Sequence, residues 1–468
     1  MSSLKLRLNL KPRTRHGSFE IDMTNGPLFT KICRFAVPLA ISGILQLLFN
    51  AADIVVVGRF AGSQALAAVG STGALINLIV NLFIGLSVGT NVLVAQYYGA
   101  GNGRELHETV HTSILASLIF GVILLVIGVS LADPLLAMMG TPDKVLGQAS
   151  LYMRIFFLGM PASMLYNFGA AVLRAVGDTR RPLYFLLLSG VVNVVLNLFF
   201  VIAFHMDVAG VAVATVISQC ISAALVFWCL TKVEGPYKLE VKQLRIRKDK
   251  LLKMTKIGLP AGIQGASFAI SNVLIQSSIN SFGAIAMAGN TAASNIEGFV
   301  STAMDAFSQA ALSFTGQNLG AGKVRRVNRI LGLCLLLVAG TGLVLGVGGY
   351  LLAPQLLGIY TTDPEVIAYG IRRMEIVCIL QCVGGLMGVL VGTLRGLGAS
   401  FVPMVITISF VCGFRILWIL TVFAAMPTLS VLYASYPITW GLAAVFEAVC
   451  FFLVRRHVIK KKGLGSPA

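Results

Sequence analysis

Apolar residues run along this chain in long blocks broken by short polar stretches, with no alternation of the kind a half-buried strand would show. Twelve blocks are legible, near 32–57, 66–96, 110–132, 150–174, 182–204, 208–231, 254–281, 285–317, 327–353, 366–394, 401–425 and 434–454. A bilayer core is roughly 30 Å thick and takes about 20 apolar residues of helix to cross. Backbone in lipid must satisfy its hydrogen bonds within itself, so each block is predicted to be a spanning helix. The expected fold class is an all-α polytopic membrane protein of twelve transmembrane helices.

Composition supports this reading and excludes a water-soluble globule. The 468 residues are 57% hydrophobic and 12% charged, where soluble domains carry roughly 25% charged residues. The first block follows Lys5, Arg7, Lys11, Arg13 and Arg15 and is too long for a signal-peptide core, so no cleaved presequence is expected. The eight cysteines lie in or beside apolar blocks without CxxC or metal-ligand spacing, and read as packing residues.

A net charge of +18 raises nucleic-acid binding, but the charge sorts by loop. With twelve spans the two termini share one side with the loops at 99–104, 174–181, 232–256, 323–329 and 395–400. That side receives all the Lys and Arg except Arg59, Lys144, Arg154, Arg372 and Arg373, which fall on the other face, and Arg415, which lies inside a span. The positive-inside rule makes the crowded side cytoplasmic, and no nucleic acid is needed to explain the charge.

An internal repeat sets the architecture. At an offset of about 221 residues, VAQYYGAGN from Val94 returns as FTGQNLGAGK from Phe314, so that Gln96, Gly99, Ala100 and Gly101 recur as Gln317, Gly320, Ala321 and Gly322. Pro38, Gly43 and Asn50 recur as Pro260, Gly265 and Asn272, and Arg174, Gly177 and Pro182 as Arg395, Gly398 and Pro403. Six spans per repeat place both copies in the membrane the same way up, related by a pseudo-twofold axis along the membrane normal. The expected organisation is a basic cytoplasmic tail (1–30), a first six-helix lobe (31–232), a basic cytoplasmic linker (233–253), a second lobe (254–455) and a cytoplasmic C-terminal tail (456–468). Two lobes that rock about a cleft give alternating access, and the linker is long and polar enough to allow it. Pro38 and Pro260 mark either packed kinks or hinges in the first helix of each repeat. The GAG sequences read as tight turns that need small residues.

Polar residues inside the spans carry the candidate chemistry, because burying a charge at the bilayer centre costs roughly 2.5 to 3.5 kcal/mol on insertion scales. Ser42, Gln46, Asn50 and Asp53 step along one face of the first span, as a cavity lining would. Asp53 is the only acid in the first six spans away from helix ends, and a carboxyl group there can exchange protons. A coupling role is the primary reading, with a structural hydrogen bond as the alternative. Asn193 and Asn197 offer neutral amide oxygens one turn apart, and Thr215 and Gln219 repeat that spacing; helix-to-helix hydrogen bonds explain both pairs as well, unless they converge on Asp53. In the eighth span Asn290, Ser294, Glu297, Ser301, Asp305 and Ser308 form a second polar face, either a cleft attracting cations or a hydrogen-bonded helix interface. Gln276 and Asn280 extend that lining. Arg415 and Glu447 are expected to form a structural ion pair.

These residues resemble the multidrug and toxic compound extrusion (MATE) transporters over about residues 27 to 455. The resemblance rests on Pro38, Asp53 and Gly58 followed by LAAVG from Leu66, on QYYGAG from Gln96, LRAVGDTRRP from Leu173 and GQNLGAG from Gly316, and on the repeat. It implies two six-helix lobes around a cavity, and export of amphipathic, often cationic compounds in exchange for H+ or Na+. It also implies that Asp53 belongs to a polar cation-coupling cluster with Asn193, Asn197 and Thr215, while Gln46, Asn50, Gln276, Asn280, Glu297, Ser301 and Asp305 are expected to line the substrate cavity. Bacterial relatives often carry Asp where this chain has Asn197. A cluster with one carboxylate suffices for a proton, whereas sodium gains from each added negative charge, so the reading leans to H+ and keeps Na+ open.

A flippase for lipid-linked saccharides is the alternative; its cavity would be strongly cationic, and the deep charges here read as mostly acidic. A passive channel is a weaker fit because the repeat and the lone buried Asp53 favour a carrier, and a membrane-embedded enzyme because no nucleophile–base or metal-ligand pattern is present. The chain is expected to act as a monomer in a bacterial plasma membrane, surrounded by lipid, with no cofactor beyond the coupling ion.

Overall fold

The computed structural model describes residues 19–461 and Gly463, and among these no strand occurs. The long helices are α1 (Leu28–Ala61), α2 (Gln64–Gly99), α3 (Gly103–Met138), α4 (Asp143–Leu158 with Met160–Val176), α5 (Arg180–Ala203), α6 (Asp207–Lys232), α7 (Lys248–Asn280), α8 (Ala284–Gly320), α9 (Val324–Leu351), α10 (Pro364–Cys378 with Gln381–Gly396), α11 (Phe401–Phe423) and α12 (Leu429–Lys461). Each apolar block of the sequence falls on one of them. Among the described residues, nine are long and apolar enough to span a membrane unbroken, and α4 and α10, bent by 47° and 43°, raise the number to eleven. The remaining helix, α8, has 37 residues, ample length, but its stripe of polar side chains dilutes its apolarity. Helices α1 and α7 run through Pro38 and Pro260 without ending.

The two halves pair reciprocally. Helix α1 lies against α5 of its own half and α8 of the other, and α7 lies in the same way against α11 and α2. Near the ends carrying the basic loops, the halves touch almost backbone to backbone. A Cβ on Gly99 would sit 2.0 Å from the carbonyl oxygen of Gln317, and one on Gly320 would sit 2.0 Å from that of Gln96. The same two glutamines then cross between the halves: Gln96 Nε2 donates to the Gly396 carbonyl at 3.0 Å and Gln317 Nε2 to the Ala175 carbonyl at 2.7 Å. Each contact maps onto its counterpart through the sequence repeat. The recurring QxxGAG segments are therefore more than tight turns: their glycines and glutamines join the two halves.

Residues 19–27 tie this joint from outside. Ile21 N donates to the Gly177 carbonyl of the first half at 3.3 Å. Asn318 Nδ2 and Lys323 Nζ of the second half donate to the Met23 and Thr24 carbonyls at 3.0 and 2.9 Å. Met23 is fully buried. Asp22 shapes this strap by accepting bonds from Thr24 and Asn25. Partial burial pushes its carboxyl up, but the hydrogen bonds from Asn25 and Thr24, with Lys31 nearby, outweigh that and hold its pKa at about 2. A depressed carboxylate pKa stabilises the fold above the unfolded value near 3.9, and that contribution fades as pH falls towards about 2. The strap turn is thus fully charged at neutral pH. The linker after α6 is also bound down. Glu240 N donates to His111 Nε2 at 2.9 Å, Arg247 N to Thr112 Oγ1 at 3.2 Å, and Lys250 pairs with Glu105 of α3.

Overpacking a close backbone approach costs roughly 1 to 3 kcal/mol. Gly99→Val is accordingly expected to lower the thermal unfolding midpoint of the purified protein, while Gly70→Ala, where an added Cβ meets nothing within 4 Å, leaves it unchanged; the comparison is read by tryptophan fluorescence on heating.

Candidate functional site

Two polar constellations stand out, one in each half. In the first, α1, α5 and α6 bring together all four residues of the expected cluster. Asn197 Nδ2 donates to Asp53 Oδ1 and, at 3.2 Å, to Asn193 Oδ1. Asn193 Nδ2 reaches Thr215 Oγ1 at 3.4 Å, and that hydroxyl donates to the Val211 carbonyl at 2.9 Å. Asn197 is fully buried and its Oδ1 has no partner among the described residues, so the chain of bonds ends on a free acceptor beside Asp53. The helix widens into a π-helical turn at Val57–Ala61, one turn beyond Asp53, a feature frequent at functional sites. Gln46 and Asn50 stand exposed on α1. Gln219 lies on α6 with an unpartnered Oε1.

The second constellation surrounds a cavity of 520 Å³ enclosed by α7, α8, α10, α11 and α12, within the range of small-molecule sites. Gln276, Asn290, Ser294, Glu297, Ser301 and Asp305 line it; Asn280 does not, but accepts from Gln276 Nε2 at 3.0 Å. Gln46 and Asn50 are not among its lining residues. The stripe on α8 thus lines a cavity and bonds to neighbouring helices at once.

Arg373 departs most from expectation. Its place near the start of the tenth block puts it with Arg372 among the charges of the non-cytoplasmic face, yet it is 5% exposed and lines the cavity. Its Nε and Nη2 donate to the two carboxylate oxygens of Glu297 at 3.0 and 2.7 Å, and Nη1 donates to Asn290 Oδ1 at 2.6 Å. Asn290 Nδ2 in turn donates to Gln276 Oε1 at 3.0 Å. Glu297 is thereby neutralised and offers no free charge to a cation. A π-helical turn at Met374–Cys378 follows Arg373, as one follows Asp53.

The expected Arg415–Glu447 pair is not formed. Arg415 donates to Ser271 Oγ at 3.1 Å and Thr439 Oγ1 at 3.0 Å, with Tyr436 beneath its guanidinium. Glu447 is fully buried, and neither carboxylate oxygen has a hydrogen-bond partner among the described residues. The guanidinium that acts on it electrostatically is that of Arg395, which acts on Asp305 as well. Arg415, flanked on α11 by π-helical turns at Ile408–Phe414 and Ile419–Phe423, is thus held by neutral hydroxyls and not by Glu447. The cavity is consequently mixed in charge, with Arg373 and Arg415 beside Glu297 and Asp305. It is lined in addition by Phe268, Trp440 and Tyr436. Gln381, which no sequence pattern marked, donates to Ser301 and to the Glu297 carbonyl. Among the described residues no cluster of three or more metal-type ligands occurs.

A profile of the MatE family matches residues 38–199 and 260–435, one match in each half. The chain is 28% identical over 420 residues to the probable multidrug resistance protein YoeA of Bacillus subtilis, covering 87% of this chain and 90% of that one. It is 24% identical to a FAD transporter of Shewanella oneidensis, over 95% of this chain and 97% of its relative. A solved structure of a multidrug resistance MATE family transporter in an outward-facing conformation superposes with a TM-score of 0.85 at 23% identity, covering 94% and 98% of the two chains.

Removing one partner of a buried ion pair costs roughly 3 to 5 kcal/mol, because the other charge is left uncompensated. Arg373→Met is therefore expected to destabilise the protein strongly, and the double replacement of Arg373 and Glu297 by Met to recover most of the loss; thermal unfolding of the wild type, both single variants and the double variant measures the coupling.

Proposed function

The chain belongs to the MatE family, the multidrug and toxic compound extrusion transporters, and from that premise we propose that it is a cation-coupled antiporter exporting amphipathic, often cationic compounds by alternating access. The observation that carries this reading is the convergence of Asn197, Asn193 and Thr215 on Asp53. A single carboxylate held by a neutral amide can lose and regain a proton without leaving a second charge stranded. Sodium would draw on the oxygens of the same cluster, Asp53, Asn193, Asn197 and Thr215, and gains from each negative charge, of which this cluster has one.

In this mechanism the end bearing the basic loops faces the cytoplasm. With the halves joined there, the cavity of the second half is reached from the opposite side, where cargo leaves and a cation enters at Asp53. Neutralising Asp53 removes the penalty for burying that part of α1, which biases the halves towards reclosing. Cation binding must differ between the two states for any such bias to exist. One charge moved through 100 mV supplies about 2.3 kcal/mol, enough to drive useful export of a neutral compound. YoeA is named for resistance to several drugs and the Shewanella relative for FAD. Cargo thus varies among relatives of this length, and is better assigned from the chemistry of the cavity than from a name.

The test is efflux of a fluorescent lipophilic cation from proteoliposomes under separately imposed pH and sodium gradients. Transport driven by one gradient in the wild type, and reduced at least about tenfold in Asp53→Asn, is expected, and the effective gradient identifies the ion. Undiminished gradient-driven efflux by Asp53→Asn would falsify the coupling role of this cluster.

A further inference from the structure

Arg415 is 2% exposed, lines the cavity of the second half, and has no carboxylate within ion-pair distance among the described residues. Its two hydrogen-bond partners are neutral. The Ser271 hydroxyl spends its proton on the Val411 carbonyl at 3.0 Å and the Thr439 hydroxyl on that of Ser435 at 2.7 Å, so both turn lone pairs to the guanidinium without balancing its charge. The Nε of Arg415 is buried and has no partner among the described residues. Its guanidinium carbon lies 4.4 Å from the ring centre of Tyr436, and that of Arg373 lies 5.3 Å from the same centre. A second cation, itself already matched by Glu297, therefore stands on the same aromatic ring. Taking an unpaired guanidinium out of water costs several kcal/mol, and a planar fork of donors matches a carboxylate or phosphate in two parallel bonds.

We propose that Arg415 is the receptor for the acid group of an amphipathic organic anion, whose apolar body lies against Phe268, Met387 and Trp440. This narrows the transport reading, since among the amphipathic compounds that reading allows it selects those bearing an acid group, and it rests on that cavity being the cargo site. Asp305, the lining acid not paired with Arg373, places negative charge elsewhere in the same space. A cargo with an acid group and a separate donor or cationic group fits better than a simple cation.

The test is equilibrium binding by calorimetry, with no gradient imposed, so its outcome is independent of coupling at Asp53. The full-length protein in phosphatidylcholine nanodiscs is titrated with 2-naphthoate, 2-naphthamide and 2-naphthamidine, near-isosteric probes that are anionic, neutral and cationic. The wild type is expected to bind the naphthoate at least about tenfold more tightly than the amide, a margin of about 1.4 kcal/mol. Arg415→Gln removes that preference, and Arg415→Lys, which keeps the charge without the fork, retains part of it. The wild-type comparison decides the matter even where the glutamine variant does not fold. Equal binding of naphthoate and amide, tightest binding of the amidine, or an undiminished preference in Arg415→Gln overturns the proposal. Naphthoate binding that survives addition of phosphatidylglycerol assigns the site to a soluble anion; binding abolished by it gives the site to a lipid headgroup and overturns the cargo assignment.

Discussion

Gly99 and Gly320 let the ends of α2 and α8 meet with no side chain between them, and the two halves are held at that joint. Any larger residue would place a carbon 2.0 Å from a backbone oxygen of the other half. The approach brings Gln96 and Gln317 within reach of carbonyls across the interface, so that polar groups at a buried joint are satisfied reciprocally. The strap of residues 19–27 closes over the same end and bonds to both halves. With the joint made at one end, the polar interior of the second half is left to face a cavity, which is where charged side chains are tolerated in a membrane protein.

The halves share a backbone plan but not a chemistry. The first gathers one carboxylate, two amides and a hydroxyl into a single chain of bonds around Asp53. The second holds an internal ion pair, an unpaired arginine and an unpartnered buried carboxyl at Glu447. Duplication supplies two equivalent frameworks, and the residues that break the repeat divide the labour. Asp53 stands one turn beyond Asn50, whose counterpart Asn272 lines the cavity of the second half. Arg373 and Arg415 belong to that half alone.

The fold was legible because length and apolarity fix spanning helices almost alone, and the QxxGAG repeat reveals the duplication directly. Asp53, Asn193, Asn197 and Thr215 were legible as a group through family resemblance; their residue spacing placed them on helix faces without saying that the faces meet. Arg373 was misplaced because two adjacent arginines at the edge of an apolar block look alike, though exposed Arg372 bonds to Ser430 and Arg373 turns inward. Arg415 and Glu447 were paired by expectation on opposite charge and on depths a long arginine side chain could bridge, but Arg415 finds Ser271 and Thr439 instead. The π-helical turns of α11 likewise leave no mark in hydropathy. The bound strap and linker were equally hidden, since basic polar segments read as free tails until their carbonyls and amides are seen to be used.

Alternating access requires that the joint at the basic end open as the far ends of the two halves approach each other. Distances between paired spin labels test this directly, in a chain with its native cysteines replaced. Repeat-equivalent positions serve at each end: Arg104→Cys with Arg325→Cys beside the joint, and Met138→Cys with Ile359→Cys at the far end, where both side chains are exposed. As pH or sodium is varied, the account predicts that the Arg104–Arg325 distance lengthens while the Met138–Ile359 distance shortens. Distances that both stay fixed, or that change in the same direction, while the labelled protein still transports would contradict it.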